Sequence, residues 1–387
     1  MRIRSTALAA VAALALAGAI PATATATAQP TAEPTGRPGD VVAVAPSAFH
    51  PLPDQPTNTR AWKVHYRSST ADGTPNVVSG TVIVPQDGRS GPRPLITYAV
   101  GTVGLDDSCA PSNNLPKGTS AEANLIQQLT QRGWAVVVTD YEGLGTPGLH
   151  TYTVGRSAGH AVLDAARAAQ RLPEAGLSAS GPVGIMGYSQ GGQASSWAAE
   201  LQGSYAPELQ VKGTATGGVP ADLLKVAAAN DGSYGSGLVF MAAAGQDAAF
   251  PELELDSYLN PAGRTLVDQL KTTCVAAGAV TGSFKRIADM TTTNPLSRPD
   301  WQARLNQSKL GGSAPAAPVY QYHALGDELI PYAVGKQLRA DWCAKGADVD
   351  WNTIWVGGHV TGAISQFLGA GNWLADRFAG RPAAGNC

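Results

Sequence analysis

The chain has 387 residues, of which 44% are apolar and only 14% charged, with a formal net charge of −2. Such a composition supplies a large buried core and lacks the charge density of a disordered chain. No basic stripe appears, which argues against nucleic acid or another polyanion as partner.

Arg2 and Arg4 precede an apolar run, Ala7 to Ile20, and Ala26-Thr27-Ala28 offers a small-x-small cleavage pattern. Residues 1–28 therefore read as a signal peptide cut after Ala28, which makes the mature protein secreted. The run is too short and Ala-rich for a membrane-spanning helix, and no later stretch is long enough for one. Residues 29–58, rich in Pro, Thr and Ala, read as an extended, partly ordered N-terminal arm. The globular part is expected to begin near Thr59, with strands over 62–66 and 77–84 joined by a turn at Asp72-Gly73.

From there the pattern alternates. Short apolar runs at 95–100, 134–139 and 183–186 read as buried strands, separated by helices expected over 120–132, with Ser120 as N-cap, and 159–172. A further strand is expected over 211–216. The alternation breaks over 220–315, which is too long for a structureless loop and reads as an inserted helical cap. Strands resume over 319–324 and 350–356. Alternating buried strands and helices imply a mostly parallel sheet flanked by helices, with residues 59–219 and 316–387 forming the α/β core.

Gly187-Tyr188-Ser189-Gln190-Gly191 matches G-x-S-x-G, with a strand candidate directly before it and a helix candidate over 193–202. In that context the motif is a nucleophile elbow, the mark of the α/β-hydrolase fold. The serine sits on a strained turn, and the small residues let strand and helix approach closely. A serine hydroxyl needs a base to take its proton. Two histidines follow. His323 lies inside a strand and reads as structural, whereas His359 follows the last strand on a loop that can reach Ser189. The acid belongs on the loop after the preceding strand. There Asp327 is preferred to Glu328, to accept the Nδ1–H of His359. Oxyanion donors are expected from the backbone amides of Gln190 and Thr102, with Val103 and Gly104 competing for the second place. Asp140 to Gly145 borders the same sheet edge without a catalytic role, and Trp197, Trp342 and Trp355 read as packing residues. The apolar stretch Leu238 to Ala244 suits either an acyl chain or ordinary cap packing.

Cys109, Cys274, Cys343 and Cys387 form an even set in a secreted chain, which implies two disulfides in one of three pairings. No spacing suggests a metal site, and the chemistry calls for no cofactor.

The segments GTVGLDDSCAPS (101–112), DYEGLG (140–145), LDAARAA (163–169), GYSQGG (187–192), GTATGGVPADL (213–223), GDELIP and GGHVTG occur in that order along the chain. In them the sequence resembles the secretory lipase family, the lipase-A type of α/β-hydrolase in fungi and actinobacteria. The resemblance implies a helical cap over the active site, a triad at Ser189, Asp327 and His359, and bridges Cys109–Cys274 and Cys343–Cys387. It implies hydrolysis of a lipid or other small carboxylic ester. The family also holds esterases with little lipase activity. The best-known fungal members carry an aspartate, with an oxyanion contact, five positions before the first cysteine; here that position is Gly104. Two rival readings stand beside this one: a secreted serine peptidase on the same fold, and a non-catalytic ligand-binding homologue.

Overall fold

Nine strands form one sheet in the order β1-β2-β3-β5-β4-β6-β7-β8-β9 in the computed structural model, which describes residues 36–89 and 91–387. The signal-peptide segment 1–28 and the first part of the arm lie outside the described residues. The strands are β1 Val41–Ser47, β2 Thr59–Ser69, β3 Pro75–Pro85, β4 Leu95–Ala99, β5 Ala135–Tyr141, β6 Pro182–Tyr188, β7 Gln210–Gly217, β8 Val319–Ala324 and β9 Val349–Ile354. β1, β2 and β3 pair antiparallel, and β3 joins β5 antiparallel. From β5 through β4, β6, β7 and β8 to β9 every pairing is parallel. The parallel strands β4, β5 and β6 are buried almost throughout, because helices cover both faces.

Three expectations are revised. The arm expected over 29–58 becomes, from Val41 on, an edge strand whose side chains stay mostly exposed, and Phe49 behind it is buried in the core. Pairing with β2 orders this segment through its backbone, a driving force that composition does not reveal. The helix expected from Ser120 starts at Ala123, because the preceding residues form a turn that sends Glu122 inward. Trp355, expected to pack in the core or against a helix, is 77% exposed, since β9 ends at Ile354 and the chain leaves the sheet there. Trp197 and Trp342 are buried.

Between β7 and β8 the chain makes a series of helices, among them Leu223–Asn230, Ser236–Ala249, Pro261–Lys271, Val275–Gly282 and Pro299–Gln307. These carry a hydrophobic core of their own, built from Phe240, Met241, Leu266, Leu270 and Trp301, and closed by Leu105, Tyr152 and Val154 from sheet-edge loops. Burial of each such side chain contributes about 1.5–3 kcal/mol. The Trp301 indole N–H is satisfied by the Leu253 carbonyl at 3.2 Å, so its burial leaves no orphan donor. The inserted helices thus form a cap that folds against the carboxyl edge of the sheet.

Candidate active site

β6 ends in a turn at Ser189, whose φ of 60 and ψ of −122 place it in a strained region that L-residues rarely occupy. The helix Gln190–Tyr205 starts at the next residue, three positions earlier than the sequence suggested. The flanking glycines are required by contact. A Cβ on Gly187 would lie on the Gly191 carbonyl, and one on Gly191 would lie on the Ala99 carbonyl. The strain is held by the Ser189 amide, which donates to the Gly217 carbonyl of the neighbouring β7 at 3.0 Å. The Gln190 amide begins the helix and so belongs to the first turn, whose N–H groups have no intrahelical acceptor.

His359 opens the C-terminal helix His359–Phe378, an element the sequence reading did not anticipate. Its Nε2 lies 2.8 Å from Ser189 Oγ, and its Nδ1 lies 2.8 Å from Asp327 Oδ2 and 3.0 Å from Oδ1. Asp327 stands on the loop after β8, where its Oδ1 also accepts the amides of Leu329 and Ile330 at 3.1 and 2.8 Å. With Nδ1 donating to the carboxylate, Nε2 is left bare to accept the serine proton. Burial alone would push the Asp327 carboxyl up. The donors of His323 and His359, with the charge of His359, outweigh it and hold the group well below the usual carboxylate range. Glu328, the neighbour passed over for that role, acts on the backbone instead. Its carboxylate accepts the backbone N–H of His359 at 2.9 Å and so caps the helix that carries the imidazole. The Tyr188 hydroxyl donates to the His359 carbonyl at 2.7 Å, and burial pushes that phenol up, so it remains a donor.

On the other side of Ser189 lies the loop after β4. Thr102 Oγ1 meets the Tyr152 hydroxyl at 2.8 Å. The Gly101 amide donates to Glu122 Oε1 at 2.7 Å, and the Tyr98 hydroxyl donates to Glu122 Oε2 at 2.5 Å. Glu122 thus holds the start of the loop, a role with no sequence signal beyond an acid at the start of a helix. Burial pushes its carboxyl up, against the two donors. Farther along, the Val275 amide donates to Val103 O at 2.7 Å and the Leu105 amide to Thr273 O at 3.2 Å, a short antiparallel bridge that pairs Gly104 with Cys274. Gly104 has φ +124, and a Cβ there would meet the backbone of Cys274. A side chain at this position, such as the aspartate of the fungal pattern, is incompatible with that approach. Cys109–Cys274 closes the same junction, and Cys343–Cys387 forms the second bridge.

Beside the elbow, burial lowers His150 to about 4, so the ring is neutral at physiological pH. Its Nδ1 donates to the Glu142 carbonyl at 3.0 Å, which leaves Nε2 to accept the Gln190 side-chain amide at 2.9 Å. Asp140 accepts the Ser79 hydroxyl at 2.6 Å and the Ser112 amide at 2.8 Å, which ties the end of β5 to β3 and to the helical segment at Ser112.

Two cavities meet at Ser189. One runs under the cap, lined by Leu238, Val239, Ala242, Leu255, Leu296 and Ile330 among others. The helix Ser236–Ala249 therefore divides its apolar residues: Leu238 and Val239 face the cavity while Met241 and Ala244 pack inside the cap. The other cavity, of about 340 Å³, passes His359 between Glu122, Met186, Tyr322, Ile364 and Phe367.

The chain order serine, aspartate, histidine, read with the strained turn, separates this arrangement from the chymotrypsin and subtilisin orders and makes the protein an α/β-hydrolase by class. The sequence matches the family described as Secretory lipase over residues 111–386, and the chain belongs to that family. It is 30% identical to Lipase 4 of Candida albicans over 84% of this chain and 74% of that protein. It is 28% identical to a secreted triacylglycerol lipase of Malassezia globosa over 90% of this chain and 78% of the relative. A protein of Mycobacterium tuberculosis named "Probable inactive lipase" is 33% identical over 87% of this chain and 77% of its own length. Among solved structures, lipase A of Candida antarctica in its closed state superposes with a TM-score of 0.82 at 24% identity, covering 92% of this chain and 86% of that one.

Proposed function

We propose that the protein is a secreted carboxylic ester hydrolase acting on lipid esters, with Ser189 as nucleophile, His359 as general base and Asp327 as its orienting acid. The observation that carries this reading is the unbroken hydrogen-bond chain from Ser189 Oγ through His359 to Asp327, at the point where two cavities meet. His359 takes the hydroxyl proton as Ser189 attacks the ester carbonyl. The amides of Gln190 and Thr102 receive the oxyanion, and His359 then protonates the leaving alcohol. Water repeats the cycle on the acyl-enzyme. The apolar cavity under the cap suits the acyl chain. The cavity that passes His359 suits the alcohol, because the leaving oxygen must come within reach of Nε2.

On the same reading the cap, residues 220–315, excludes water from the acyl pocket, and signal-peptide cleavage falls after Ala28. Contact with a lipid surface is supported by an apolar rim: Val356 is 86% exposed and Trp355 77%, and Val360, Ile364 and Leu368 form an exposed stripe along the C-terminal helix. No described helix is long and apolar enough to cross a membrane.

The relative named as inactive favours one rival, a non-catalytic homologue. Hydrolysis of p-nitrophenyl esters from acetate to palmitate by wild type and Ser189→Ala decides between them. Turnover by wild type and a loss of at least about 10³-fold in the variant is the expected result. Equal inertness of both folded proteins on every ester would sink the enzymatic reading.

A further inference from the structure

His323 enters none of the steps above, yet it touches the acid that orients the base. It lies in β8 with no exposed surface, four residues before Asp327. Its Nε2 is 2.9 Å from the Ile330 carbonyl oxygen and 3.2 Å from Asp327 Oδ2. A carbonyl oxygen only accepts, so Nε2 must carry the proton, and the positive edge of the ring stands beside the carboxylate. The other ring nitrogen is buried without a partner. It faces Gly335 of the helix Tyr332–Ala344, where a Cβ would collide with it. A proton on Nδ1 would have no acceptor, and burying one so costs free energy. The hydrogen bonding therefore selects one tautomer. The ring is held edge-on to Tyr332, with centroids 5.8 Å apart at 84°.

Two imidazoles thus meet one carboxylate oxygen: His359 Nδ1 donates to it at 2.8 Å, and His323 Nε2, whose N–H is given to the Ile330 carbonyl, lies 3.2 Å from it. The Leu329 and Ile330 amides hold the second oxygen, which fixes the rotation of the carboxylate. Of the two side chains that meet Asp327, His323 is the one to which the proposed mechanism gives no proton.

We propose that His323 is a positioning residue for hydrolysis, a second imidazole that, anchored by its Nε2–H on the Ile330 carbonyl, sets a polarised ring edge against Asp327 Oδ2 and keeps that oxygen in line with His359. The inference rests on the triad reading above. Loss of that contact removes one restraint on Asp327 Oδ2 and leaves its negative charge to His359 alone, which favours the imidazolium and so withholds the base at low pH.

The test compares His323→Phe, which keeps a flat ring without a donor, with His323→Gln, whose amide nitrogen can take the place of Nε2. Active sites are counted by titration with a phosphonate ester, so misfolded molecules do not enter the rate. In His323→Phe, kcat per titrated site should fall about 10- to 100-fold, at or below the low end for losing a general base. KM should stay within about twofold, and the acid limb of kcat/KM should move to higher pH. His323→Gln should recover most of the rate and return the limb. An unchanged kcat per site with an unmoved limb, or a glutamine variant no better than phenylalanine, overturns the proposal. Should the phenylalanine variant not fold, nitrogen-15 histidine spectra of the wild type decide: an Nε2–H tautomer for His323 is expected, and an Nδ1–H tautomer overturns it. Ser189→Ala is run alongside. If it retains wild-type activity, the triad reading fails, which is a different outcome from an indifferent His323.

Discussion

Two acids flank Ser189, and their environments push them in opposite directions. Asp327 is held low by its histidine donors, so its contribution to stability is present above its unfolded-state value and is lost only as pH falls through the depressed folded value. Glu122 is pushed up by burial, so it costs stability as pH rises past the ordinary carboxylate range. Glu122→Gln removes that cost and keeps an acceptor for the Gly101 amide. Urea unfolding should show the variant gaining on wild type as pH goes from about 4 to about 8, and a gain that shrinks with pH would contradict the assignment. Glu122→Ala frees the Gly101 amide, and kcat on a soluble ester should drop about tenfold, less than for loss of an oxyanion donor itself. Nothing in the sequence pointed to Glu122. A carboxylate that binds a distant loop amide has no local pattern, whereas Ser189 and His359 stood out because their neighbours must be small or lie at a strand end.

At the scale of elements, the elbow was readable because strand, turn and helix each impose a rule on adjacent residues, and the contacts of Gly187 and Gly191 bear those rules out. The edge strand Val41–Ser47 was not, since backbone pairing orders it while most of its side chains stay in water. The C-terminal helix escaped notice for a related reason. Its exposed face carries Val360, Ile364 and Leu368, so polar and apolar faces do not contrast as they do on a helix that packs against a core and meets only water. That stripe and Val356 form the rim to which a lipid surface is assigned. Val356→Asp with Leu368→Asp should lower the rate on emulsified triacylglycerol by about an order of magnitude and leave p-nitrophenyl acetate hydrolysis within about twofold, since charge at an apolar interface opposes its burial. Equal losses on both substrates would remove the rim from surface binding.

At the scale of the molecule, the two disulfides differ in what they tie. Cys343–Cys387 joins the helix Tyr332–Ala344 to the C-terminal residues, far from Ser189 along the chain. Its removal as a paired Cys→Ser variant should cost about 2–4 kcal/mol in unfolding and leave kcat at 25 °C unchanged. Cys109–Cys274 closes a separation of 165 residues and fastens the cap to the loop that carries Thr102. Removing it should lower stability and kcat together, and thermal melts beside active-site titration separate the two effects. The bridge at Gly104 has a mechanical consequence. A flap joined to its body only where the chain enters and leaves can swing like a door on two hinges. The disulfide and the paired backbone at residues 103–105 and 273–275 add a bolt away from those hinges, and a body pinned at three points has no axis left to swing about. A tilt of the cap as a body would then drag the loop that carries Thr102 with it. Access and chemical readiness in this enzyme share one moving part.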